Sequence, residues 1–119
     1  MRFRKPMKHT VLKYRNKPTS VGAETYRSKR EAKRHQELLL LERAGQIAGV
    51  VREVPFELIP KQRRPDGKVE RACTYFADFL YSTAGGRLVC EDAKGVRTKE
   101  YVIKRKLMLK VHGIAVVEV

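Results

Sequence analysis

Tyr75-Phe76-Ala77-Asp78-Phe79-Leu80-Tyr81, then Ser82-Thr83-Ala84-Gly85-Gly86, then Arg87-Leu88-Val89-Cys90-Glu91-Asp92-Ala93-Lys94, is two apolar runs joined by a turn of small residues. The runs are rich in β-branched and aromatic residues, and Gly85-Gly86 breaks them, so they predict consecutive antiparallel strands. Side chains alternate along a strand. Asp78 then shares a face with Phe76 and Leu80, where a carboxylate has no solvent to explain it. On the next strand Leu88, Cys90, Asp92 and Lys94 share one face and Val89, Glu91 and Ala93 the other, so Glu91 points away from Lys94.

Working outward, Val69–Tyr81 is the whole of the first predicted strand, and Lys61–Lys68, with Pro65-Asp66-Gly67, is the hairpin loop before it. Upstream, Ile47–Val51 leads into Val54, Phe56 and Leu58 in alternation with Glu53, Pro55 and Glu57; this predicts a strand that stops at Pro60, with Pro55 marking an edge or a bulge. Further back, Ser28-Lys29-Arg30-Glu31 is a capping box, so a helix is predicted over 29–44 with Gly45 closing it. Downstream, Thr98 opens a helical stretch in which Ile103, Leu107 and Val111 recur every four residues until Gly113, and Ile114–Val119 is a last strand. The order is α-β-β-β-α-β. It predicts an α/β (α+β) domain over residues 23–119, with a mixed central sheet flanked by helices, behind a basic arm of residues 1–22.

The 119 residues hold 27 Lys and Arg against 13 Asp and Glu, a net charge of +14. Solubility needs a magnitude of only about 2 to 8 in a small domain, so a polyanionic partner is predicted, with nucleic acid favoured over an anionic membrane. The longest apolar runs, such as Leu38–Leu41, fall far short of the roughly 20 residues that span a bilayer. No apolar segment follows the basic start, so neither membrane insertion nor secretion is indicated, and a cytoplasmic location is expected. Cys73 and Cys90 are too few for a four-ligand zinc site and read as reduced thiols. His9, His35 and His112 are scattered and support no histidine chemistry.

Asp78 on one strand and Asp92-x-Lys94 on its neighbour would stand within a few ångströms of one another, since paired strands lie about 4.8 Å apart. A lone buried carboxylate is destabilising by roughly several kcal/mol unless a cation or a hydrogen-bond network compensates it. Two carboxylates and a backbone carbonyl, that of Ala93, are a hard-oxygen set for Mg²⁺, with Mn²⁺ able to substitute. Such a set beside Lys94 suits hydrolysis of a phosphate ester. Glu31, one turn into the first helix, is a further candidate carboxylate, although the capping box alone accounts for it.

Tyr26-Arg27-Ser28-Lys29-Arg30-Glu31-Ala32, Ala77-Asp78-Phe79, Glu91-Asp92-Ala93-Lys94-Gly95, Thr98 and Tyr101-Val102-Ile103-Lys104-Arg105-Lys106-Leu107-Met108 resemble a family of small phage and prophage proteins, long labelled a domain of unknown function and placed in the PD-(D/E)XK nuclease superfamily. The likeness runs from about residue 26 to the end; one departure is Ala77 where the superfamily motif has proline. The resemblance implies a restriction-endonuclease-like αβββαβ core and a Mg²⁺-dependent DNA endonuclease. It places Glu31, Asp78, Asp92 and Lys94 at the metal-binding and catalytic positions and Lys104 near the scissile phosphate. A structure-selective enzyme of Holliday junction resolvase type in phage recombination or replication would follow, acting in the host cytoplasm on branched DNA as a homodimer. Its dimer face would be sought at 111–119 or 38–41. Basic or capping residues placed for nucleic acid are Arg27, Lys29, Arg30, Arg63, Arg64, Thr98, Lys104 and Arg105, each with a solvated or capping role as its plain alternative. Two other functions stay open: a non-catalytic basic nucleic-acid-binding protein, and a nuclease subunit active only with a recombination or replication partner.

Overall fold

The computed structural model describes residues 18–22 and 24–119, and the chain first pairs with itself in a short hairpin, β1 (Thr19–Val21) against β2 (Glu24–Tyr26). The expected basic arm of residues 1–22 therefore ends in ordered structure, and residues 1–17 lie outside the described residues. Tyr26 is the hairpin's buried anchor, 2% exposed.

Helix α1 (Lys29–Arg43) starts where Ser28 holds an extended backbone and its Oγ accepts the Glu31 N–H at 3.2 Å. Glu31 reaches back one residue further than in a standard capping box and accepts the Arg27 N–H at 3.0 Å. Gly45, at φ 79°, closes the helix in the left-handed conformation that lets its N–H and the next reach Glu42 and Leu41 carbonyls.

The central sheet holds β3 (Ile47–Ile59), β6 (Cys73–Thr83), β7 (Leu88–Asp92) and β8 (Val117–Glu118), side by side in that order. The first three pair antiparallel and β8 joins β7 in parallel, so the sheet is mixed, as expected. β3 lies at the sheet's edge, where Pro55 costs no ladder hydrogen bond. β4 (Gln62–Arg63) and β5 (Val69–Glu70) continue the β3–β6 hairpin beyond the sheet, around a turn in which Asp66 Oδ1 accepts the Lys68 N–H at 3.0 Å. The run expected as one strand over 69–81 is interrupted at Arg71-Ala72, because the partner strand shifts register between Glu57 and Ile59.

Thr98 caps α2 (Lys99–Leu107), accepting the Tyr101 N–H at 3.0 Å, and one wider π-helical turn (Met108–His112) carries the helix on to Gly113. The two helices cover different faces of the sheet. Leu38 of α1 packs with Phe79, Tyr81 and Val89, whereas Tyr101 and Met108 pack with Leu58, Tyr75, Ala77 and Cys90.

Simple alternation fails in the middle of β6. Ala77 and Phe79 are two apart and should share a face, yet they belong to opposite layers. The change of side falls at Asp78, so pairing this carboxyl with both Phe76 and Leu80 does not hold. Across the ladder the same place in β3 is Glu53, whose φ of 55° makes it the one non-glycine residue with positive φ among the described residues.

Candidate metal centre

Register brings the acids together. Arg52 faces Phe79 and Val54 faces Ala77, which sets Glu53 opposite Asp78; Phe79 faces Glu91 and Leu80 faces Cys90, which carries Asp92 to the other side of Asp78. Three neighbouring strands thus present one carboxylate each along a single line. Glu31 joins them from the first turn of α1. Carboxylate oxygens of Glu31, Glu53 and Asp78 lie within 4.8 Å of one another.

Asp78 is 4% exposed. Its Oδ1 accepts from Arg27 Nη2 at 2.6 Å and its Oδ2 from the Ala93 N–H at 2.9 Å. Burial first, then the charge of Asp92, push its pKa up to about 7, against the opposing pull of Arg27. Asp92, 3% exposed, accepts from the Tyr75 hydroxyl on Oδ2, and Lys94 Nζ stands 3.5 Å from Oδ1. Lys94 itself rests over the Tyr101 ring, 4.5 Å from its centroid, with its side chain part-exposed. Burial raises the Tyr75 and Tyr101 hydroxyl pKa values well above the usual range, so both stay protonated donors.

Of the residues singled out in the sequence, Glu31 and Asp78 thus lie in one group with Glu53, while Asp92, with Lys94 on it, stands beside Asp78 in the ladder and outside that group. Ala93 is also present, but the contact it makes is through its N–H to Asp78. Glu91, beside Asp92, turns to the other layer, where Arg34 grips it with two hydrogen bonds of 2.8 and 2.7 Å and Tyr81 donates to it. Sequence alone does not single out Glu53. Its alternation with Phe56 and Leu58 reads as an outward position, and only the left-handed kink and the pairing with Asp78 bring it to the cluster.

The basic residues divide. Arg27, expected at the surface for nucleic acid, turns inward to Asp78, with its Nε 3.9 Å from both Glu31 and Glu53. Lys29 and Arg30 are exposed on α1, and Arg30 Nε lies 3.9 Å from where a Cβ on Gly95 would sit, beside the Asp92-x-Lys94 segment. Lys104 pairs with Glu100 one turn earlier at 3.2 Å, and Arg105 leans on Glu118, 3.9 Å away. Arg63 and Arg64 are exposed at the hairpin tip, Arg63 bound to the Gly67 carbonyl and Arg64 to Asp66. The tip lies along the chain from the acids: nine residue steps take Glu53 to Gln62, at most roughly 30 Å at about 3.3 Å per step.

A hard divalent cation fits this donor set. The ligands are all carboxylate oxygens, and two of these oxygens, Glu31 Oε2 and Asp92 Oδ1, are buried without a hydrogen-bond partner. Their nearest cations, Arg52 Nη2 at 3.7 Å and Lys94 Nζ at 3.5 Å, stand beyond hydrogen-bonding distance. Buried polar atoms are rarely left so. Oxygen donors of this kind select Mg²⁺ or Mn²⁺ over softer metals.

A family model described as a protein of unknown function (DUF1064) matches residues 11–114. No curated protein and no solved structure matches the chain. Among the described residues no helix is long and apolar enough to cross a membrane.

Proposed function

We propose that this chain, which belongs to the DUF1064 family, is a divalent-cation-dependent endonuclease that hydrolyses phosphodiester bonds of DNA. The observation that carries the reading is the line of carboxylates Glu53, Asp78 and Asp92, closed by Glu31, with buried unpartnered oxygens and Lys94 at its solvent side. Arg27, Arg52 and Lys94 offset part of this charge, yet one oxygen each of Glu31 and Asp92 stays buried without a hydrogen bond, a place that a divalent cation would fill.

Glu31, Glu53, Asp78 and Asp92 would hold Mg²⁺, or Mn²⁺ in its place. The cation, when bound, would lower the pKa of water and offset the negative charge that grows on the phosphorus oxygens. The protein's own groups do the rest. Tyr75 fixes Oδ2 of Asp92 and leaves its Oδ1 to the ligand side, while the Ala93 N–H fixes Oδ2 of Asp78, whose Oδ1 is held by Arg27. Lys94, steadied on Tyr101, sets an ammonium where a phosphate approaching from solvent gains charge, and a preorganised cation there favours the transition state over the ground state. Arg30 beside Gly95 and exposed Lys29, with the net charge of +14, would draw the polyanion in.

The test is cleavage of labelled four-way junction, flap, duplex and single-stranded DNA in Mg²⁺, Mn²⁺ and EDTA, with wild type beside Asp92→Asn and Lys94→Ala. Cutting in Mg²⁺ that both substitutions reduce at least ~100-fold, on the scale expected of an electrostatic group in a phosphate site, supports the reading. Preference for the junction would add the resolvase role and its two-fold homodimer. The alternative of a non-catalytic binder is favoured by one contact, Arg27 on Asp78, which is a protein counter-ion of the kind that reading needs. Intact substrates under all conditions, with binding indifferent to Mg²⁺, would establish it, unless an added recombination or replication partner restores cleavage.

A further inference from the structure

Of the arginines that reach buried acids, Arg34 and Arg27 hydrogen-bond them directly, and the two are held differently. Arg34 forks onto Glu91 with two short hydrogen bonds and also contacts Glu37 at 3.0 Å, so its guanidinium is locked. Arg27 makes one short hydrogen bond, to Asp78, while its Nε is buried with no partner and lies 3.9 Å from each of Glu31 and Glu53. A third of its side chain, 35%, is open to solvent. The guanidinium thus sits among the three carboxylates as a loosely fastened positive charge, with Arg52 reaching only Glu31, at 3.7 Å.

Resting on the endonuclease reading, we propose that Arg27 is the resident counter-ion of the carboxylate cluster, that a divalent cation displaces it, and that the freed guanidinium then binds a backbone phosphate of the nucleic acid. A hard cation needs the carboxylate lone pairs at about 2.0–2.6 Å, and Arg27 Nη2 already holds the Asp78 Oδ1 lone pair at 2.6 Å. Both cannot be satisfied there at once. Solvent exposure gives the side chain somewhere to go, and a planar guanidinium suits a phosphate as well as a carboxylate. The loose fastening keeps the exchange small in cost. Because the cation releases a phosphate-binding group, cation and nucleic acid strengthen each other's binding, and the coupling is reciprocal.

Calorimetric titration of the full-length protein with Ca²⁺ at pH 8, without DNA, reads the first half. Arg27→Met, and Arg27→Gln as a second variant should the first fold poorly by circular dichroism, should bind Ca²⁺ about tenfold more tightly than wild type, the opposite of what losing a ligand does. Fluorescence anisotropy with a labelled duplex in Ca²⁺ and in EDTA reads the second half: Ca²⁺ should tighten wild-type binding several-fold and the Arg27 variants hardly at all. Wild type that binds Ca²⁺ while folded Arg27 variants bind it no better would overturn the displacement, and equal duplex gains in all proteins would overturn the coupling. If neither wild type nor variants bind Ca²⁺, the cation site itself is absent and the endonuclease reading falls with the inference.

Discussion

Burial and the neighbouring Asp92 hold the Asp78 carboxyl near pKa 7 in the folded protein, against an ordinary value of 3.8. Between those two values the folded state binds the extra proton, so stability from this group is fully present below about pH 4 and is lost as pH rises through about 7. Asn resembles the protonated form and carries no such loss. Asp78→Asn should therefore stabilise the cation-free protein at pH 8 by on the order of 2 kcal/mol and matter little at pH 4; thermal melts in EDTA at the two pH values check this. Equal melting shifts at both would mean that Asp78 is fully ionised by Arg27 instead. Tyr75 gives a second prediction at this scale. Its hydroxyl holds Asp92 Oδ2, and Tyr75→Phe would leave a buried carboxylate oxygen unpaired, costing about 1–3 kcal/mol, measurable by urea unfolding. The same variant should bind Mn²⁺ more weakly, since Asp92 is then free to turn.

Elements set the spacing that those residues use. Arg34 stands one turn from Glu31 on α1, and Glu91 stands next to Asp92 on β7, so the Arg34–Glu91 pair ties the helix carrying one acid to the strand carrying another. Breaking such a pair by removing one partner costs about 3–5 kcal/mol when the survivor stays buried, and Glu91 is 1% exposed. Arg34→Met should fall in that range by urea unfolding, while Arg34→Met with Glu91→Leu should recover part of it; a fully additive double variant would show that the pair does not act as one. The same level explains what is legible in the sequence. Ser28 with Glu31, Gly45, Asp66-Gly67, Gly86 and Thr98 are local signals, and each marks an element boundary close to where the structure places it. Asp92 and Lys94 are legible too, because β7 alternates without interruption. Glu53 is not, because its place in the cluster depends on a left-handed residue and a change of side in two paired strands at once. Period-2 reading carries no mark of either. Inward-turned Arg27 is illegible for a related reason: a basic residue before a helix looks solvated until the tertiary fold brings acids from two strands and the helix itself around it.

On the endonuclease reading proposed above, the shape of the described residues and the charge of the chain suit a long substrate. The radius of gyration is 15.9 Å, above the ~13–14 Å expected for a compact chain of this length. The described residues extend 55 Å by 35 Å by 23 Å, and the β4–β5 hairpin continues beyond the central sheet. Lys61, Arg63, Arg64 and Lys68 at its end are exposed, and an extended chain would carry the tip at most roughly 30 Å from Glu53. Duplex DNA advances 3.4 Å per base pair, so for a duplex laid along β3 on the proposed reading that reach corresponds to at most about nine base pairs on one side of the acids. A short duplex ending before the tip cannot use its charges, whereas a longer one can. Replacing Lys61, Arg63 and Arg64 together by Ala should therefore weaken binding to a duplex of about 24 base pairs and lower the slope of log affinity against log salt by up to about 3, one unit for each phosphate that the tip no longer neutralises. Binding to a duplex of about 8 base pairs centred on the acids, and Ca²⁺ binding, should be unchanged, since neither involves the tip. Anisotropy titrations over a salt series check both arms. An equal loss on short and long duplexes would mean that the hairpin adds only to the general field of a +14 protein, and that the nucleic acid does not lie along β3.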